Sequence, residues 1–332
     1  MNDLKRLHEF LSTPRKIVIT THHKPDGDAL GSSLALYHYF QKKTGHVVNV
    51  ISPTDYPDFL EWLPGNDQVI NFEKNRNKSL ELVSEADIFF CLDFNKLYRI
   101  NELGEHIGSS NSPKVLIDHH LEKDDFATYN FWNTKACSTA ELVYQFIMDS
   151  NDESLIDEVV ATCIYTGILT DTNGFRVPTT SPYIHRVAAH LMEMGVNHTD
   201  IYSRIYETFS ENRLRLFGFS ITERMSVHPD LNAGIITLDA NDLRKFNIKT
   251  GDTEGLVNFP LKIDSVQMAA LIIQRPDQVK LSFRSKGDWD VNALSKEHFE
   301  GGGHKNAAGG KSSLNVEETK LKLIAILAAL KK

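Results

Sequence analysis

Short β-branched runs alternate with longer amphipathic stretches through the first half of the chain, the rhythm of βαβ units that set parallel strands side by side. The apolar runs predict strands over Lys16–Thr21, Val47–Ile51, Gln68–Asn71, Asp87–Leu92 and Lys114–Ile117. Apolar residues recurring at intervals of three and four predict helices over Ala29–Lys43, Ser138–Met148 and Leu155–Leu169. After Gly195 this rhythm stops in a polar, Arg-rich segment, NHTDIYSRIYETFSENRLRLFGF, which reads as a connector. From about Arg215 strands with polar turns follow (GIITLDAND, SVQMAALIIQ, KLSFRSKG), then a glycine-rich loop and an amphipathic helix over Val316–Leu330. The expected organisation is an α/β domain over 1–194 with a mostly parallel sheet flanked by helices, a helical linker over 195–214, and a smaller α+β domain over 215–332.

Composition narrows the function. At 332 residues, 41% hydrophobic and 24% charged, the chain can bury two cores. It has no run near the roughly 20 apolar residues that cross a bilayer. The opening MNDLKRLHEF lacks the basic and apolar regions of a secretory signal, so a cytoplasmic protein without membrane contact is expected. Its three cysteines, Cys91, Cys137 and Cys163, are far apart in apolar runs and read as small buried hydrophobes. A net charge of −8, from 36 basic and 44 acidic residues, argues against gripping long duplex nucleic acid by general basicity. A polyanionic partner would instead be drawn locally, by cations held on carboxylates or by a few placed Arg, Lys and helix N-termini.

Acids and imidazoles collect where strands end. The turn after the first strand, HHKPDGDALGS, carries His22, Asp26 and Asp28; CLDFN ends in Asp93; IDHH ends in Asp118, His119 and His120; Asp171 follows the helix in GILTDTNGF. Ligands of open α/β sheets bind beyond the carboxyl ends of the strands, so these residues are expected to converge. Taken singly, each has a plain explanation: Asx turns for Asp26 and Asp28, helix capping for Asp171, a core role for either histidine. Together they place several carboxylates in one crevice, where they would repel one another unless cations sat among them. Imidazole and carboxylate donors without cysteine suit a divalent ion such as Mn²⁺, and more than four donors point to two ions. Paired ions of this kind hydrolyse phosphate esters.

The segments HHKPDGDALGS, CLDFN, IDHH, GILTDTNGF and GGGHKNAAGG occur in the order found in the DHH phosphoesterases, and nearly the whole chain resembles that superfamily with its DHH-associated C-terminal domain. Within it the chain is similar to the small two-domain oligoribonucleases, or nanoRNases, that also dephosphorylate phosphoadenosine phosphate. The resemblance implies that His22 and Asp26 hold one Mn²⁺, that Asp28, His119 and Asp171 hold the other, and that Asp93 bridges them. It leaves Asp118 and His120 to orient ligands or substrate, with His23 a bystander. Arg99 matches an arginine found near the site in relatives and is expected to serve phosphate. Ser138 and Thr139 stand at a helix start able to favour anions, and Glu141, three residues after Ser138, also suggests a capping box. Gly301, Gly302, Gly303 and His304, with Arg284 on a nearby strand, are the implied contacts to substrate phosphate and base, Lys286 and Lys305 being rim charges. The same stretch is not a P-loop, because Lys305 stands where that motif needs glycine. One departure from the family is the Phe94–Asn95 pair after the bridging acid, where relatives often have a small or hydroxyl residue.

The implied activity is a two-metal phosphodiesterase, Mn²⁺-dependent with Mg²⁺ or Co²⁺ as substitutes, acting from a cleft between the domains. It would degrade short RNA oligonucleotides and dinucleotides to mononucleotides and accept phosphoadenosine phosphate. Cyclic- or linear-dinucleotide phosphodiesterases are alternatives in the same superfamily. A regulator that binds nucleotide without catalysis is disfavoured, since all six implied ligands are present. The oligomeric state is left open, a homodimer being compatible.

Overall fold

The computed structural model describes residues 3–43, 45–249 and 251–330. The chain divides between Thr208 and Phe209 into two compact units. The division falls inside the segment read above as a connector.

In the first unit α1 (Asp3–Phe10) precedes β1 (Lys16–Thr21), α2 (Gly27–Gln41), β2 (Val47–Ser52), β3 (Val69–Asn71), α3 (Arg76–Glu85), β4 (Ile88–Leu92) and α4 (Glu102–Ser109). Then come β5 (Lys114–Asp118), β6 (Tyr129–Trp132), α5 (Thr139–Asp149), α6 (Glu158–Asp171), α7 (Pro182–Glu193) and α8 (His198–Tyr206). The six strands pair in the order β3-β2-β1-β4-β5-β6, every pair parallel. Side chains alternate across the pleat. Ile17, Ile19, Ile88, Phe90, Val115 and Ile117 enter one core with α2, α5 and α6, while Val18, Phe89, Cys91 and Leu116 enter the other with α3 and α4. Strand order reverses between β1 and β4, and that switch point opens a crevice at their carboxyl ends. β6 escaped the sequence reading because four residues at a sheet edge leave little periodicity to detect.

Helices α2 and α6 cross at two glycines. A Cβ on Gly31 would lie 2.6 Å from the Cys163 carbonyl oxygen, and one on Gly167 would lie 2.9 Å from Asp28 Oδ1. The three cysteines are buried and unpaired, and burial pushes the Cys91 thiol up to about 12. Among the described residues no helix is long and apolar enough to cross a membrane.

The second unit runs α9 (Glu211–Phe219), β7 (Met225–His228), β8 (Ala233–Leu238), α10 (Ala240–Lys245), β9 (Met268–Gln274), β10 (Val279–Ser285), α11 (Val291–His298), β11 (Gly302–His304), β12 (Ala307–Ser312) and α12 (Val316–Leu330). Its mixed sheet has the order β11-β12-β10-β9-β8-β7, with β8 and β9 parallel and the other pairs antiparallel. α12 buries Val316, Thr319, Leu323 and Leu327, the spacing of one helical face. The glycine-rich stretch expected as a loop is instead a hairpin, β11 and β12, the latter paired along its length with β10. Glycine has little intrinsic preference for strands, so this pairing is imposed by the neighbouring strand.

Candidate metal centre

The carboxyl ends of β1, β4 and β5 deliver His22, Asp93 and the Asp118–His120 segment to the switch point. The β1 turn into α2 adds Asp26 and Asp28, and Asp171 arrives as the last residue of α6. His22, Asp26 and Asp93 bring one donor atom each within 4.8 Å of one another, as do Asp28, His119 and Asp171, and a third group joins Asp93, Asp118 and His120. Asp93 lies at the centre. Its carboxylate is 3.3 Å from His22 Nε2, 3.5 Å from His119 Nε2 and 3.6 Å from His120 Nδ1. His119 Nε2 is also 3.4 Å from Asp171 and 3.9 Å from Asp28.

The backbone holds these groups ready. The Nδ1 atoms of His22 and His119 lie 2.9 Å and 3.3 Å from the carbonyls of His23 and Ala136, which turns both Nε2 atoms toward the acids. Asp28, almost completely buried, accepts from the backbone N–H groups of Thr139 at 2.7 Å and Ala140 at 2.8 Å, the free donors at the start of α5. Thr139 Oγ1 donates to Asp93 at 2.9 Å. Of the Ser138–Thr139 pair, Thr139 therefore reaches the cluster, while the Ser138 hydroxyl caps α5 by accepting from Glu141 N at 3.1 Å. The reciprocal bond of the expected capping box is displaced by one residue, Glu141 accepting from Cys137 N. Asp26 caps α2 through its Oδ1 and also lies 3.9 Å from His22, so its turn-forming and donor readings coexist.

Asp118 accepts from His120 Nδ1 at 2.8 Å, and its other oxygen is buried without a hydrogen-bond partner. Arg99 lies within a short helical turn, Leu97–Ile100, and its carbonyl takes the His23 N–H at 2.8 Å; its positive charge is close enough to oppose protonation of His22. The Phe94 side chain turns into the core, stacked 6.1 Å from Phe126, and Asn95 ties down the loop after β5 by donating to the Leu121 carbonyl. The unusual pair after Asp93 thus packs and braces.

Charge within the cluster is unbalanced. Burial, then the Asp93 and Asp171 carboxylates, push the Asp28 carboxyl well above the usual range. Burial also opposes charge on Asp93, but the bond from His22 and the charges of His120 and His119 outweigh it and hold that carboxyl well below its usual value. Burial lowers His22 and His119, and the facing carboxylates overcome it, so both sit above the ordinary imidazole value. The fold therefore gathers protons where acids crowd. Divalent cations replace such protons, and the oxygen and imidazole donors fit them.

In the second unit Arg284 lies on β10 opposite Ala269 and Ala307. A Cβ on Gly301 would come within 2.0 Å of the Gly309 carbonyl oxygen, and one on Gly303, at φ +152°, within 2.4 Å of that of Ala307. Gly302 has no such constraint: its nearest neighbour would be 3.6 Å away. Gly303 N donates to Asn292 at 2.9 Å, and His304 pairs with Ala307 across the hairpin.

Residues 16–168 match the model of the DHH family N-terminal domain, and residues 232–331 match that of the DHHA1 domain. The chain is 30% identical over 301 residues to the probable bifunctional oligoribonuclease and PAP phosphatase NrnA of Streptococcus mutans, covering 89% of each. It is 25% identical to the cyclic-di-AMP phosphodiesterase PdeA of Listeria monocytogenes, over 97% of this chain and 49% of that one. The crystal structure of an exopolyphosphatase-related protein from Bacteroides fragilis superposes with a TM-score of 0.93 at 37% identity, covering 99% of this chain and 98% of that one. With His and Asp clustered as a divalent-metal site requires, the chain belongs to the DHH superfamily of phosphoesterases, a DHH domain followed by a DHHA1 domain.

Proposed function

We propose that the chain is a two-metal phosphodiesterase that hydrolyses short oligoribonucleotides to mononucleotides and also dephosphorylates phosphoadenosine phosphate. The observation that carries this reading is the pair of donor clusters, His22/Asp26 and Asp28/His119/Asp171, on either side of Asp93. Those residues would hold two Mn²⁺ ions, with Mg²⁺ or Co²⁺ as substitutes. Bound there, such ions supply Lewis acidity and a water of lowered pKa.

The chain's own groups do the rest. Carbonyls behind His22 and His119 hold each Nε2 on target, the α5 amides fix Asp28, and Thr139 fixes Asp93. Asp118 binds His120 at Nδ1 and so fixes the ring beside Asp93, where it would meet a phosphoryl oxygen or pass a proton. Arg99 contributes positive charge beside His22. In the DHHA1 domain Arg284, Gly301, Gly302, Gly303 and His304 would engage the remainder of the substrate. Cyclic dinucleotides are the second reading, favoured by the likeness to PdeA.

Gly302 separates folding from binding. Gly301 and Gly303 are required by packing, whereas the methyl of Gly302→Ala meets only ordinary van der Waals contacts with Asn292 and Lys296, so its melting temperature should match the wild type while KM for a dinucleotide rises several-fold. An unchanged KM would remove this strand from the substrate site. The reading as a whole is tested by a substrate panel with Mn²⁺: dinucleotides, five-mers, long single strands, phosphoadenosine phosphate and cyclic dinucleotides. Preference for dinucleotides and five-mers, with release of phosphate from phosphoadenosine phosphate, is expected. Preference for cyclic dinucleotides would favour the second reading, and turnover of none of them would refute both.

A further inference from the structure

Beside the metal centre an aromatic side chain is held in a way that bracing alone leaves unexplained. Trp132 ends the edge strand β6 and pairs in register with Asp118, so it stands level with the acid that closes β5. Its indole Nε1 donates to the His120 carbonyl at 2.7 Å. That bond anchors the ring against the segment carrying His119 and His120, yet Trp132 stays 38% exposed. Leu121 next to His120 is 39% exposed, and Lys123 Nζ lies 5.9 Å from the Trp132 ring. The hydrogen bond uses only the N–H. The exposed part of this ring, apolar and with the flexible Lys123 side chain over it in an otherwise acidic chain, is a surface on which a nucleobase can stack.

We propose that Trp132 is a base-stacking subsite that makes the enzyme prefer phosphodiesters flanked by a nucleobase over those without one. This inference rests on the phosphodiesterase reading above and names a specificity determinant within it. Stacking tolerates any base, because every base presents a π-face, so the subsite would grade substrates by the presence of a base and not by its identity.

The test compares kcat/KM for the linear adenosine dinucleotide pApA with that for its abasic counterpart, the same sugar–phosphate dimer without bases. It uses Mn²⁺ with wild type, Trp132→Phe and Trp132→Ala, each verified as folded by thermal unfolding. Wild type should favour pApA, and Trp132→Ala should cut that preference about five- to hundredfold. Trp132→Phe keeps a ring but loses the donor, so it should retain most of the preference even if both rates fall. Equal loss on both substrates in Trp132→Ala would assign the residue to bracing His120 and overturn the proposal, as would no change in either. If wild type cleaved neither dimer, the phosphodiesterase reading would fail, and stacking would be decided by a fluorescence titration with pApA. Quenching lost in Trp132→Phe supports the subsite; quenching that is absent, or that persists in the variant through the other two of the chain's three tryptophans, overturns it.

Discussion

Asp93→Asn should abolish divalent-dependent hydrolysis, lowering kcat on the order of 10³-fold or more, while the protein stays folded. Asp93 is the side chain that both donor clusters approach: His22 lies on one side, His119 and His120 on the other, and Thr139 donates to it. Asparagine preserves the size and one acceptor oxygen but removes the charge that draws imidazoles or cations to it. It is also the better choice for the backbone. Asp93 has φ +63°, a left-handed conformation that asparagine tolerates and that costs alanine about 1 kcal/mol or more. Asp93→Ala would mix that strain with the loss of chemistry, whereas Asp93→Asn isolates the chemistry. Thermal unfolding without added metal checks the fold, and initial rates on a dinucleotide check the activity. A variant within tenfold of wild type would place the reaction elsewhere.

Gly31→Ala should destabilise the first unit by about 1–3 kcal/mol, although alanine is the better helix former. The new methyl would meet the Cys163 carbonyl at 2.6 Å and the Gly167 amide nitrogen at 3.0 Å, backbone atoms that cannot rotate away. Helices α2 and α6 would have to separate. Because α2 carries Asp28 and α6 ends in Asp171, the separation should also lower activity. For a unit of this size each kcal/mol moves Tm by roughly 2–4 °C. Gly218→Ala on α9 is the control, since a Cβ there meets nothing within 4 Å and should leave Tm unchanged or slightly raised. Equal melting temperatures for Gly31→Ala and wild type would show that the helix crossing is looser than this geometry requires.

What the sequence made legible follows from locality. β1, β4 and β5 hold continuous apolar runs, as central parallel strands must, β2 is interrupted only at Asn49, and α12 carries its buried face in its own spacing. Apart from Asp171, which ends α6, the acids and histidines now seen together could be expected to meet because each stands at a strand end or in the turn beyond it, and parallel strands bring those ends to one side. Features made by partners distant in sequence were not legible. Nothing around Thr139 and Ala140 signals that their amides would hold Asp28, over a hundred positions away. Trp132 reads as an ordinary edge residue until its indole meets His120. The β11–β12 hairpin is built largely from glycine and alanine, and its strand character comes from lying against β10. Gly31 and Gly167 matter only once α2 and α6 are packed.

The central claim is that these side chains hold a pair of divalent ions, and anomalous diffraction from crystals soaked in Mn²⁺ tests it most directly. Two peaks are expected, one against His22 and Asp26, the other against Asp28, His119 and Asp171, with Asp93 touching both. Manganese bound away from these residues in active enzyme, or no bound ion at all, would contradict it.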